Sequence, residues 1–430
     1  MQDILKKCLN STGVSIDSRT VRSGNFFVAL RGPTVNGNAF AMDAIKKGAA
    51  YALIDDERYQ VNNQCILVDN ALVTLQKMAT IHRQKLKDIT LIVVAGSNGK
   101  TTTKELIYAV LSTKYKAYRS YENFNNHIGV PVNLLNLTTE MDIAVIEIGA
   151  NHRQEHDALC HMCQPNVAVV TNCGKDHLEG YGSEDGVIQS NKEVYDYLRQ
   201  YGGHAFVNAE DSLLYRISEG VDRTFYGRSD ILSTNVYADV LNQYPTLSLN
   251  VSNSNTTWPV KTNLYGDFQK DNILAALSMG AYFGVEGSKM KLAIESYKPL
   301  NNRSQKMKWR GNTLWMDAYN ANPNSMIAMI DFFDLVPSEK KIIVLGGMRE
   351  MGLASNSEHQ AILERLKQVH CHQIYLVGSE YGDAKQRLNC IQFDTTKDLA
   401  LHLNRQTYHG FDILVKGSRG FALEKAFTET

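Results

Sequence analysis

The segment VVAGSNGKTTTKE, Val93 to Glu105, decides the fold. An apolar run ends at Gly96 and a helix is expected to begin near Thr101, so a strand feeds a glycine-rich turn and then a helix start. Glycines there let main-chain N–H groups point inward at phosphate oxygens, and the helix start adds partial positive charge. Lys100 then bridges terminal phosphates, and Thr101 offers its hydroxyl to Mg²⁺. The eight-residue phosphate-loop pattern asks for a glycine five positions before Gly99, where Val94 stands, so this is a shortened GxxGKT loop. The order strand, loop, Gly-Lys-Thr, helix argues against an incidental glycine turn. It leaves kinase, ATPase, GTPase and ligase open.

Around this loop, from residue 88 to 299, apolar strand runs alternate with helical stretches: ITLIVVAG, MDIAVIEIGA, NVAVVTNCG and HAFVNAED. Such alternation predicts a doubly wound, mainly parallel α/β sheet. Residues Ile231 to Tyr265, rich in Ser, Thr, Asn and β-branched types, suggest a short antiparallel insertion. From residue 300 to 430 the alternation restarts with TLWMDAYN, KKIIVLGG, QIYLVGS and DILVKGS, separated by helical stretches near Asn324, Glu358 to Val369 and Lys397 to Arg405. This reads as a second, Rossmann-like α/β domain. Ahead of both, residues 1 to 87 carry DSRTVRSGNFFVALRG (Asp17 to Gly32) and a helical stretch at Phe40 to Tyr51, as in a small α/β front domain.

At 430 residues the chain exceeds what one core supports, which agrees with three domains. Lys plus Arg and Asp plus Glu each number 45, leaving no net field to gather nucleic acid or an anionic membrane. The start MQDILKKCLN has no signal-peptide pattern and no apolar run is long enough to span a bilayer, so a cytoplasmic protein is expected. Seven scattered cysteines form no disulfide framework; Cys160 and Cys163, with His156 and His161 nearby, make a CxxC that lacks the second pair of a structural zinc site.

The loop together with NFNNHIGVP (Asn123 to Pro131), EIGANHRQE (Glu147 to Glu155), TNCGKDHLEGYGS (Thr171 to Ser183), MDAYNANPNSM (Met316 to Met326) and VKGSRG (Val415 to Gly420) resembles the Mur ligases, in order and over nearly the whole chain. Within that family YNANP, EIGANHRQE and LGGMREMG with a later His359 resemble the members that add D-alanyl-D-alanine, where amino-acid-adding relatives carry YAHTP or YAHHP. The resemblance implies an ATP- and Mg²⁺-dependent ligase. In it the carboxylate of a UDP-muramoyl tripeptide attacks the γ-phosphate, and the dipeptide amine attacks the resulting acyl phosphate. A monomer is expected, with no nucleic acid and no membrane insertion.

On the same basis Gly96, Ser97, Asn98, Gly99, Lys100, Thr101 and Thr102 cradle ATP, with Asn272 near adenine and Arg303 and Asp317 closing the third domain over it. Glu147, at a strand end where open parallel sheets bind ligands, is expected on Mg²⁺ beside Thr101. The resemblance adds His177 as a second metal contact and Lys192 as a carbamylated metal ligand. Lys100, Glu147, His177 and Lys192 are thus the expected catalytic set. Asn123, Asn125 and Asn126 suit phosphate oxygens and the incoming carboxylate; Asn320, Asn322, Lys416 and Arg419 suit the dipeptide. Ser18 and Arg19, with Phe26 and Ala29, resemble the module that holds the UDP end. The family's pattern is departed from at Phe268 and Gln269, at Asn36 to Asn38, and at Gly347. Competing readings are a diaminopimelate- or lysine-adding relative, a folylpolyglutamate synthase, a UDP-muramoyl-peptide-binding adaptor, and a generic phosphate-loop kinase or ATPase.

Overall fold

The computed structural model describes residues 1–428 apart from 122, 228, 230–233 and 254–255. Among the described residues three sheets form, of four, nine and six strands. The four-stranded sheet is wholly parallel, with Phe26–Val28 and Tyr51–Ile54 at its centre. These strands read as unbroken apolar runs because both faces are covered.

The central sheet runs from edge to edge as Thr257–Lys261, Ser248–Ser252, Thr234–Asn242, Asp222–Gly227, His204–Asn208, Val167–Val170, Thr90–Ala95, Ile143–Glu147 and Ala117–Arg119. Thr90–Ala95 lies parallel between Val167–Val170 and Ile143–Glu147. Chain connections therefore leave it in opposite directions, which creates the crevice where such sheets hold ligands. The Ser- and Thr-rich stretch forms the expected antiparallel meander. Thr234–Asn242 pairs parallel with Asp222–Gly227, so the meander extends the central sheet; residues 231–233 of that stretch fall outside the described residues.

The third sheet has the order Gln305–Trp309, Asn312–Asp317, Asp412–Lys416, Lys341–Gly346, Gln373–Val377 and Ile391–Phe393. Its first strand is antiparallel, closed by a two-residue turn in which Arg310 (φ 47°) and Gly311 (φ 78°) both take positive φ. That is the hairpin geometry whose twist suits the flanking strands. Helix Pro323–Asp334 starts at a capping box: Asn322 accepts from Ser325 N–H and the Ser325 hydroxyl accepts from Asn322 N–H.

The domains share cores. Leu75 and Met78 of helix Ala71–Lys85, fully buried, pack in one apolar cluster with Leu91, Val130 and Ile146 of the central domain, each such side chain contributing about 1.5–3 kcal/mol. The same helix anchors itself through Arg83, whose buried guanidinium donates to the carbonyls of Cys163 (2.8 Å), Leu86 (2.5 Å) and Gln164 (3.0 Å) and to Asn166 Oδ1 (3.1 Å). Those acceptors offset the cost of burying the charge. On the other side Tyr265 of the central domain stacks on Phe332 at 4.9 Å and meets Trp315 edge-on at 5.0 Å. No helix of the described residues is long and apolar enough to cross a membrane.

Candidate active site

A cleft of about 680 Å³ opens where the central and C-terminal domains meet. Ser97 to Thr102 form its floor, Asn123, Asn125, Asn126, Glu147 and His177 line its central-domain wall, and Arg303, Asp317, Asn320 and Lys416 face them from the other domain. The sharp turn out of Thr90–Ala95 depends on Gly96 at φ 118°, where a Cβ would stand 2.2 Å from Thr171 Oγ1. Gly99, at φ 82°, ends the loop and starts helix Lys100–Leu111; a Cβ there would stand 2.5 Å from Asn272 Oδ1. Lys100 Nζ donates to the carbonyls of Gly96 (2.5 Å) and Ser97 (3.1 Å), so the cation sits over the loop.

Glu147 is the best-held group in the cleft. It is buried at the end of its strand; Oε2 accepts from the Thr101 hydroxyl at 2.8 Å and Oε1 from Asn125 Nδ2 at 2.8 Å. Behind it Lys104 Nζ, also buried, lies 3.8 Å from Oε2 and donates to Ser120 O at 2.9 Å. A buried carboxylate needs such partners, since isolated it would cost several kcal/mol. The sequence reading did not single out Lys104; its signal was a lysine on the helix face that also carries buried Thr103 and Ile107. Thr101 and Glu147 together present hard oxygen donors side by side, the type of pair that takes a Mg²⁺ carried in on phosphates.

Asn272 is buried, accepting from the Thr103 hydroxyl at 2.9 Å and donating to Gln269 Oε1 at 2.8 Å. Gln269 thus props Asn272 and in turn donates to Ser304 Oγ at 3.0 Å. Asn126 lines the cleft and also accepts from the N–H groups of Ile128 and Gly129, starting helix Gly129–Leu135. Arg303 lies over the Tyr319 ring at 3.6 Å, and burial raises the Tyr319 phenol above its ordinary value. Asp317 is matched by Lys416 at 2.6 Å, and Arg419 by Glu424 at 2.5 Å beside a smaller recess shared with Arg303 and Thr101. Asn322 donates to Asn98 Oδ1 at 2.9 Å.

Two expectations need correcting. Lys192 does not line the cleft: on helix Glu184–Tyr201 its ammonium is held by both carboxylate oxygens of Asp196 at 2.7 and 2.8 Å, an ordinary i,i+4 pair. One residue earlier, Asn191 takes the buried face, because successive helix residues turn about 100° apart. Phe26 and Ala29 are fully buried front-domain core and present no surface to a ligand. The C-terminal domain also reaches the central domain through contacts that the sequence reading did not foresee: Lys175 Nζ donates to Glu358 at 2.7 Å, Lys175 N–H to Asn324 Oδ1 at 2.8 Å, and His177, an expected metal contact, meets Glu350. Ser18 and Arg19 lie on the front-domain surface, outside the cleft, with Arg19 paired to Asp17 at 2.6 Å and Ser18 O accepting from Lys47.

A shortened phosphate loop under a second α/β domain, with a Thr–Glu oxygen pair at its lip, defines a phosphate-loop nucleotide enzyme. Residues 10–89 match the Mur ligase family catalytic domain, 94–280 the Mur ligase middle domain and 302–419 the Mur ligase glutamate ligase domain. The chain is 30% identical over 431 residues to the UDP-N-acetylmuramoyl-tripeptide--D-alanyl-D-alanine ligase of Bacillus subtilis (strain 168), covering 96% of this chain and 92% of that one. Its fold matches MurF from Acinetobacter baumannii with a TM-score of 0.85 at 24% identity, over 99% and 97% of the chains. It matches MurF ligase from Thermotoga maritima in complex with ADP with a TM-score of 0.82 at 25% identity, over 97% and 96%. The chain belongs to the Mur ligase family of ATP-dependent, amide-bond-forming ligases.

Proposed function

We propose that this chain joins D-alanyl-D-alanine to the tripeptide carboxylate of UDP-N-acetylmuramoyl-tripeptide, consuming ATP with Mg²⁺ and releasing ADP and phosphate, as a single chain in the cytoplasm. The observation that carries this reading is the contact between Asn322, within YNANP, and Asn98 of the phosphate loop at 2.9 Å. It sets the segment that resembles the D-alanyl-D-alanine-adding members beside the phosphate loop, which supports arrival of the amine there.

Joining a carboxylate to an amine needs a better leaving group than oxide, and transfer of the γ-phosphoryl group to the carboxylate supplies one. The chain's own residues then have defined tasks. Lys100 and the loop N–H groups offset charge gathering on the transferred group. Glu147 and Thr101 would hold Mg²⁺, whose charge would offset that of the phosphates. Asn123 and Asn125 orient the carboxylate, and Arg303 and Lys416 line the cleft from the C-terminal domain, whose closing over it would exclude water from a hydrolysable acyl phosphate.

The test is phosphate release from ATP and Mg²⁺ with UDP-muramoyl tripeptide, comparing D-alanyl-D-alanine, diaminopimelate, lysine and no amine, with the product mass measured. Turnover with D-alanyl-D-alanine alone, giving the pentapeptide, is expected. Turnover with diaminopimelate or lysine instead would keep the family and overturn the substrate.

A further inference from the structure

The loop from 347 to 352 of the C-terminal domain meets the central domain at His177 to Gly180. Each side turns on a non-glycine residue in the left-handed region, His177 at φ 46° and Glu350 at φ 62°. Such backbone is strained and persists where surrounding contacts over-determine it. Glu350 O accepts from Glu179 N–H at 3.0 Å, and the Glu350 carboxylate is paired with His177 Nδ1. From behind, the loop is fixed by three further contacts. Met348 N–H donates to His359 Nε2 at 2.9 Å, Arg349 N–H donates to Ser418 Oγ at 2.9 Å, and the Arg349 guanidinium is paired with Glu380 at 2.7 Å.

A carboxylate on Nδ1 makes that nitrogen the donor and leaves the lone pair on Nε2, the arrangement by which histidines are commonly oriented toward metals. Among the described residues Nε2 of His177 makes no hydrogen bond, and His177 lines the cleft. We propose that Glu350 is a positioning residue for His177, so that docking of the C-terminal domain completes the metal site of the central domain. The proposal rests on the reading of His177 as a Mg²⁺ contact in the ligase. Because coupling between sites is reciprocal, metal·nucleotide binding also favours the docked domain.

The test uses the full chain with Mn²⁺ and ADP, reading free Mn²⁺ by electron paramagnetic resonance, with ADP affinity in the absence of metal as the control. Glu350→Gly, which suits the left-handed backbone, should weaken Mn²⁺ binding on the order of 10- to 100-fold. Glu350→Gln, which still accepts from Nδ1, should weaken it less, and in a His177→Ala background neither change should have a further effect. Unchanged or tighter Mn²⁺ binding in Glu350→Gly, or an equal loss in the His177→Ala background, would overturn the proposal while leaving ligation by the unaltered chain intact. Failure of the unaltered chain to bind Mn²⁺ with ADP would overturn the metal reading and this proposal together.

Discussion

The side-chain amide of Asn322 donates to Asn98 Oδ1 at 2.9 Å, so a helix cap in the C-terminal domain touches the phosphate loop itself. The same residue accepts from Ser325 N–H, and the two tasks use different atoms. Asn322→Asp keeps the acceptor, and Asp caps about as well as Asn. It loses the donor. Thermal stability should stay within experimental error while kcat falls roughly tenfold, the equivalent of one hydrogen bond of about 1.4 kcal/mol. Equal kcat in the two proteins would show that the contact carries nothing into the reaction.

Lys100→Ala and Glu147→Gln should each reduce ligation by about 10²–10³-fold or more with the circular dichroism spectrum unchanged, because both groups act on charge at the γ-phosphate. Glu147 is buried among Thr101, Asn125 and Lys104, so the isosteric Gln is the variant to make. Near-normal turnover in either protein would remove that residue from the chemistry.

Gly96→Ala forces a Cβ to within 2.2 Å of Thr171 Oγ1 and 2.7 Å of its main-chain nitrogen, at φ 118°. A loss of at least about 2 kcal/mol is expected from backbone strain and displacement of the neighbouring strand end. Urea denaturation with and without ADP measures it, and the nucleotide should restore less stability to the variant than to the parent.

His156, fully buried with Nδ1 on Ser190, has its pKa pushed down by burial from 6.5 to about 4. The unfolded chain therefore takes up this proton first as pH falls. The contribution is complete above the ordinary value of 6.5 and is lost between 6.5 and about 4, amounting to about 3 kcal/mol. Burial shifts His82 and His359 in the same direction. Urea midpoints across pH 7 to 4.5 should fall, and His156→Leu should flatten that fall; an unchanged slope would place the acid sensitivity elsewhere.

Lys192→Ala should change stability by less than about 0.5 kcal/mol, since an i,i+4 pair half open to solvent contributes little. Turnover should hold near the parent value, and added small carboxylates should not raise it. A large loss that a carboxylate rescues would restore Lys192 to the metal site.

Much of the fold was legible because its signals are local. The order of apolar strand, Gly96, Gly99, Lys100 and helix is dictated by which residues tolerate positive φ and which spacing faces a phosphate, and the structure forms that turn. The alternation of strand and helix runs likewise announced the parallel sheets. The hairpin Gln305–Trp309 and the strand Ile391–Phe393 escaped because two short half-polar runs carry little period of their own and gain their partners only at the sheet edge.

By itself, then, the sequence determined the phosphate loop, the alternating strands and helices and the polar run of Asn123, Asn125 and Asn126, since each depends on chemistry within a few residues of chain. Only the tertiary structure decided that Lys192 turns to Asp196, that Lys104 stands behind Glu147, and that Glu350 reaches His177 across 173 positions of sequence. The physical reason is that a residue's type and spacing state which contacts it can make, whereas helix rotation and the packing of one domain on another state which of those contacts it does make.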